Sequence, residues 1–237
     1  MEEFRNYTSV VDEGGFKSFL TNTFATMAVG LFISAAIAYL SFYSIASQGF
    51  MYDLLTKHTM VMFGLLIAEV LVAVALTANL YKMKSTTAMI LFGVYCTLSG
   101  VTFGILPIAY GATNTFMAFV FTSVLFTCMA IIGKTTSVDL SKYSSYLYVG
   151  LFVIIIISIF SMFFRFSGLD LIISYLAVVV FLGLTAWDVQ KLKELYYSSE
   201  HDYELKSKLS IYGAFQLYLD FVNLFIYILR ILGRRRD

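Results

Sequence analysis

Apolar residues in this chain fall in long continuous runs rather than in a short repeating pattern. Seven runs stand out, at about 21–44, 59–81, 86–109, 112–133, 145–165, 170–188 and 209–232. A helix needs about 20 mostly apolar residues to cross a hydrocarbon layer roughly 30 Å thick, and each run is close to that length. None alternates apolar and polar residues at every second position, as a strand of an outer-membrane barrel does. In lipid, a continuous apolar run has to satisfy its backbone internally, which a helix does. The pattern therefore predicts an all-α multi-pass membrane protein. The seventh run departs from the others because it contains Asp220 and Arg230.

The segments between the runs are short. The first 20 residues are mixed in charge and lack the basic start and early apolar run of a cleaved signal, so the first span is expected to be retained. The longest connection, from Asp188 to Ser210, is charged and polar and has no room for a soluble catalytic domain. A single transmembrane domain over residues 1–237 is expected.

Composition narrows the classes further. The chain is 59% hydrophobic and 13% charged, against about a quarter charged in a soluble domain. A net charge of +1 gives no bulk attraction for nucleic acid. With 23 Phe and 17 Tyr the chain is not disordered, and two cysteines cannot make a disulfide scaffold.

Basic residues in short loops set orientation. Arg5, Lys17, Lys82, Lys84, Lys134, Lys142, Lys191, Lys193, Lys206 and Lys208 fall on one side, and Lys57 and Arg165 on the other. This asymmetry predicts a cytoplasmic N-terminus. Seven full crossings place Arg230, Arg234, Arg235 and Arg236 outside, whereas a re-entrant last segment leaves them inside. Length favours the first arrangement and charge the second, and seven spans are expected.

A carboxylate at the centre of a span costs about 2.5–3.5 kcal/mol on insertion scales, so an intramembrane acid marks a pathway or a partner. Three acids qualify: Glu69, Asp188 and Asp220. Asp220 shares a helical face with Gly213, Gln216, Asn223 and Tyr227, spaced 3 and 4 apart in alternation. That polar stripe should turn towards protein or water, leaving Leu219, Val222, Phe225, Ile226 and Leu229 on the remaining surface. Gln216 and Asn223 read equally well as hydrogen-bonding glue between helices. Asp188 ends its run beside Trp187, so it is either an interfacial acid or part of a site. Glu69 lies eleven residues into the second run, as an ion or proton ligand or as a neutral hydrogen-bonded core acid.

The other reactive residues are quieter. Cys96 and Cys128 read as small buried hydrophobes, and His58 and His201 as lone loop residues. No phosphate-binding loop, HExxH or GxSxG is present, so no enzyme and no cofactor are expected.

The run LYLDFVNLFIYILRILG (217–233) resembles the C-terminal signature of the transmembrane Bax inhibitor motif family, in a bacterial-type member. SGVTFGILP (99–107), AEV around Glu69 and TAWDVQKLK around Asp188 follow in the family's order. The resemblance implies a seven-helix bundle with the C-terminal helix at the centre. It also implies a pH-regulated passive calcium leak in which Asp188 and Asp220 share a proton as sensor and gate. Calcium, a hard cation taking oxygen ligands, would meet those two carboxylates weakly, as conduction requires. Glu69, Gln216 and Asn223 would add to the ion pathway. The resemblance places the protein in the bacterial plasma or inner membrane, with lipid, calcium, protons and a membrane-protein partner as the interacting species.

Two features of this chain bear on that picture. Some bacterial relatives latch the acid pair with an arginine late in the second helix. The corresponding place here is near Leu80, and the nearest base is Lys82. Depth is the other feature: Asp188 lies three residues from Lys191, whereas Asp220 lies twelve from Lys208. At 1.5 Å per residue this separates the acids by roughly 13 Å. Pairing requires the sixth helix to continue through 191–196, or the seventh to begin outside the bilayer.

Three rival functions follow from the same residues. An intramembrane aspartyl protease needs a Gly-x-Gly-Asp segment, but the acids here sit in TAWD and LYLD. A proton-coupled transporter is disfavoured by unbroken runs and the lack of an internal repeat. A non-conducting regulator of a membrane protease or of a stress or cell-death partner is the main alternative.

Overall fold

The computed structural model describes residues 2–54, 59–164, 169–199 and 202–233. The helices are α1 (Glu2–Ala46), the single turn α2 (Phe50–Tyr52), α3 (Thr59–Ala78), α4 (Ser85–Phe103), α5 (Leu106–Tyr110), α6 (Ala112–Thr135), α7 (Ser141–Phe164), α8 (Leu169–Ser198) and α9 (Tyr203–Gly233). No strand occurs among the described residues. Seven helical segments are long and apolar enough to cross a membrane, α4 and α5 together forming the third. The all-α multi-pass fold expected from the apolar runs is the fold observed. Lys57, His58, Arg165, His201 and Arg234–Arg236, all weighed in the sequence, lie outside the described residues.

Helix boundaries differ from the run boundaries in two places. The first is the third run, which is not unbroken. Pro107 has no N–H to offer Phe103 four residues earlier, so α4 stops at Phe103 and a new helix begins at Leu106. Pro107 then occupies the first turn of α5, where a missing N–H costs nothing. Gly111, at φ 84°, takes the left-handed conformation that lets α6 start immediately after α5.

The second difference is the expected long polar connection. α8 runs ten residues beyond Asp188 to Ser198, and α9 begins at Tyr203, so almost all of 188–210 is helical. The sequence KLKELYYS is rich in strong helix formers, and leaving the apolar layer does not stop an α-helix.

Two compact units emerge. The first holds Met1–Thr102 with Leu192–Gln216, and the second Phe103–Lys191 with Leu217–Asp237. Each has its own core. In the first, Phe215 of α9 meets Phe92 and Tyr95 of α4 edge-on, with ring centroids 6.1 and 5.1 Å apart. There, too, the buried hydroxyls of Thr23 and Ser210 bond at 2.9 Å. In the second, Phe221 of α9 meets Phe119 and Phe126 of α6 at 5.6 and 5.5 Å.

α9 contributes to both units and is the most buried span, with 56% of its apolar window covered against 6% for α3. Its expected division into a polar inner stripe and an apolar outer surface is overturned. Val222, Phe225 and Leu229 are buried along with Asp220 and Tyr227. The less covered stripe is Tyr212, Gln216, Leu219, Asn223, Ile226 and Arg230. A helix packed by protein on nearly every side buries apolar residues all round it.

Candidate functional site

The second unit brings Asp188 of α8 and Asp220 of α9 together, close enough for their carboxyl groups to act on each other. Asp220 is only 5% exposed, and its Oδ2 has no hydrogen-bond partner among the described residues. An ionised carboxylate accepts but cannot donate, so a bond between two of them requires a proton on one. Asp188 is half-buried, and the charged group acting on it is Lys191, one turn further along α8. The Lys191 ammonium lies 4.8 Å from the centre of the Trp187 ring, a cation–π contact.

The depth difference counted from lysine to lysine is resolved by helix register. Phe181, seven residues before Asp188, stacks on Tyr227, seven residues after Asp220, at 5.9 Å between centroids. The two contacts therefore share one antiparallel register. The first of the two alternatives for pairing is met: α8 continues past Asp188 through 191–196 to Ser198.

The wall behind the pair is tight. A Cβ at Gly133 of α6 would run into the Ala186 carbonyl of α8, two residues before Asp188. Thr185, three residues before Asp188, donates its hydroxyl to the Phe181 carbonyl at 2.7 Å. Gln190 clamps the α6–α7 connection: its Oε1 accepts from the Leu140 N–H and its Nε2 donates to the Val138 carbonyl, both at 2.8 Å.

Glu69 belongs to the first unit and has different company. It is half-buried on α3, with Oε1 at 3.1 Å from the Thr102 hydroxyl of α4. The same hydroxyl lies 2.9 Å from the Ser99 carbonyl. Ser99 and Tyr95 complete the surroundings, and the Ser99 hydroxyl approaches Glu69 without closing a hydrogen bond of good geometry.

The remaining expected residues are placed as follows. Lys82 is exposed in the α3–α4 turn. Gln216 and Asn223 are half-buried, and Asn223 donates to the Leu219 carbonyl of its own helix at 2.8 Å rather than across helices. Cys96 is buried as expected, but Cys128 is exposed. Among the described residues, no three His, Cys, Asp or Glu side chains gather as a metal centre.

Sequence reasoning missed Thr102, Ser99 and Gln190. The signal for the first two was present: Ser99 and Thr102 lie three apart, hence on one face of α4. It went unused because serines and threonines in spans usually bond their own helix. Nothing in the sequence pairs Gln190 with a loop 50 residues away.

Comparison with known proteins completes the picture. Residues 16–237 match the family described as "Inhibitor of apoptosis-promoting Bax1". The chain is 34% identical to the inner membrane protein YbhL of Escherichia coli over 238 residues, covering 100% of both chains. It is 38% identical over 219 residues to an uncharacterized protein of Borreliella burgdorferi, covering 92% of this chain and 93% of that one. An uncharacterized membrane protein of Streptococcus pyogenes is 29% identical over 220 residues, covering 93% and 94%.

Proposed function

The chain belongs to the Bax1-inhibitor family of membrane proteins, and from that premise we propose that it is a pH-regulated passive calcium leak gated by Asp188 and Asp220. The observation that carries this reading is the approach of the two carboxyl groups, with the buried Asp220 Oδ2 lacking a hydrogen-bond partner among the described residues. While one proton is shared, the pair bridges α8 and α9. Its loss leaves two negative charges side by side in a low-dielectric interior, where repulsion is strong and unscreened. The two titrations are coupled and belong to the pair rather than to either residue. Repulsion biases α8 and α9 of the second unit towards separation, which is the gating step.

Calcium is the transported substrate. Two carboxylates and water offer oxygen ligands without the dense cluster that would hold the ion tightly. Glu69, Gln216 and Asn223 add polar positions along the route. In this reading Lys191, rather than Lys82, is the base beside the gate. The chain sits in a bacterial inner membrane with its N-terminus cytoplasmic, catalyses no reaction and carries no cofactor.

The test is calcium flux into dye-loaded proteoliposomes, stepped across pH. Wild type should pass calcium with a pH-dependent rate, and Asp220→Asn should lose that dependence. An amide donates to the Asp188 carboxylate without needing a proton.

The family's description, which names an inhibitor, favours a second reading: a non-conducting regulator of a membrane protease or of a stress or cell-death partner. Folded protein that passes no calcium at any pH would establish this reading over the first. Deleting the N-terminal arm would then abolish regulation while sparing the helices.

A further inference from the structure

The Glu69 site carries an inference independent of the aspartate pair. Thr102 Oγ1 is within hydrogen-bonding distance of two oxygens, Glu69 Oε1 at 3.1 Å and the Ser99 carbonyl at 2.9 Å. A hydroxyl has one proton to donate. A carbonyl has none, so if Thr102 donates to Ser99, the bond to Glu69 needs a proton from Glu69 itself. Only a protonated Glu69 closes both bonds at once: its O–H donates to Thr102 Oγ1, and the Thr102 O–H donates to the Ser99 carbonyl.

We propose that Glu69, Thr102 and Ser99 form a second proton-binding site within the membrane, built from one carboxyl and the hydroxyl-bearing face of α4. The Ser99 side chain, 1% exposed and lacking a well-formed hydrogen bond, adds a buried hydroxyl beside the carboxyl. The titratable side chain facing Glu69 is Tyr95, also on α4. When the proton leaves Glu69 for bulk water, the Thr102 O–H swings to the new carboxylate and the Ser99 carbonyl loses that donor. Ser99 lies in the last turns of α4, just before the break ahead of Pro107, so the site couples one proton to the end of that helix.

The experiment reads the proton and not the flux, so its failure is separate from failure of the leak reading. The full chain is reconstituted in liposomes with side-chain 13C-labelled glutamate, and its infrared spectrum is recorded at neutral pH. Surface glutamates are ionised there, so a protonated glutamic-acid carbonyl band that shifts with the label belongs to Glu69. The expected result is such a band. It should be absent in Glu69→Gln, moved in frequency by Thr102→Val and restored by Thr102→Ser. The labelled wild type needs no substitution, so a variant that fails to fold leaves the test intact. A labelled wild type with no protonated glutamate band at neutral pH overturns the proposal, as does a band that Thr102→Val leaves in place.

Discussion

In the first unit a lone carboxyl, Glu69, faces a hydroxyl-bearing face of α4; in the second, Asp220 faces another carboxyl. Hydroxyls both donate and accept, so Glu69 keeps a partner whether or not it is protonated. A carboxylate only accepts, so a hydrogen bond between Asp188 and Asp220 needs a proton on one of them. The first arrangement tolerates a change of charge by turning one O–H bond. The second has no such hydroxyl to turn. Packing sharpens the contrast: Glu69 sits on α3, one of the two least covered spans, whereas the aspartates sit on α8 and α9, the two most covered. What distinguishes the three acids is what each one meets.

Breaking the tight side of this comparison should have the largest effect. Gly133→Ala puts a methyl group against the Ala186 backbone, which cannot turn aside as a side chain can. Overpacking of this kind costs about 3 kcal/mol. Thermal unfolding of the purified protein should show a clearly lowered Tm, and an unchanged Tm would mean that α6 and α8 part freely there.

Next in size is removal of one aspartate. Asp188→Ala leaves the buried Asp220 without its partner, a loss of about 1–3 kcal/mol. Asp188→Asn keeps a donor and should lose less than half of that. The sign with pH follows from the shared proton: the wild-type contact holds at low pH and is lost as pH rises far enough to remove the proton. In Asp188→Asn that dependence should vanish from the unfolding profile, and its persistence would assign it to another group.

A smaller effect is expected in the first unit. Thr102→Val deletes the hydroxyl between Glu69 and Ser99 and should cost about 1 kcal/mol, with Thr102→Ser close to wild type. Equal losses in both variants would show that the methyl group, not the hydroxyl, matters at that position.

The smallest effect lies outside the membrane. Asp139, exposed in the α6–α7 connection, is held below the usual carboxylate range chiefly because the Ser141 hydroxyl donates to it. The Ser141 N–H also donates to it, at 3.1 Å. A carboxyl depressed in the folded state stabilises it at pH above the ordinary aspartate range, and that contribution fades as pH falls through the folded value. Asp139→Asn should therefore lose slightly less stability on acidification than wild type. A chemical-shift titration should place Asp139 below an ordinary aspartate, and an ordinary midpoint would refute the assignment.

Several features needed only the chain's own order of residues. Long apolar runs dictate helices because lipid offers the backbone no other partner, and all seven spans were legible from that alone. The three membrane acids were legible too, because a charge in hydrocarbon is costly and therefore conspicuous. Where a helix ends was not: α8 and α9 continue into polar sequence, since hydrogen bonding and propensity carry a helix past the point where hydropathy stops. The partners of each acid were also hidden. Asp188 meets Asp220 because α8 and α9 settle in one antiparallel register, and Glu69 meets Thr102 from 33 residues away. Contacts of that kind are set by how side chains fill the space between helices. That space is defined only once the helices have packed.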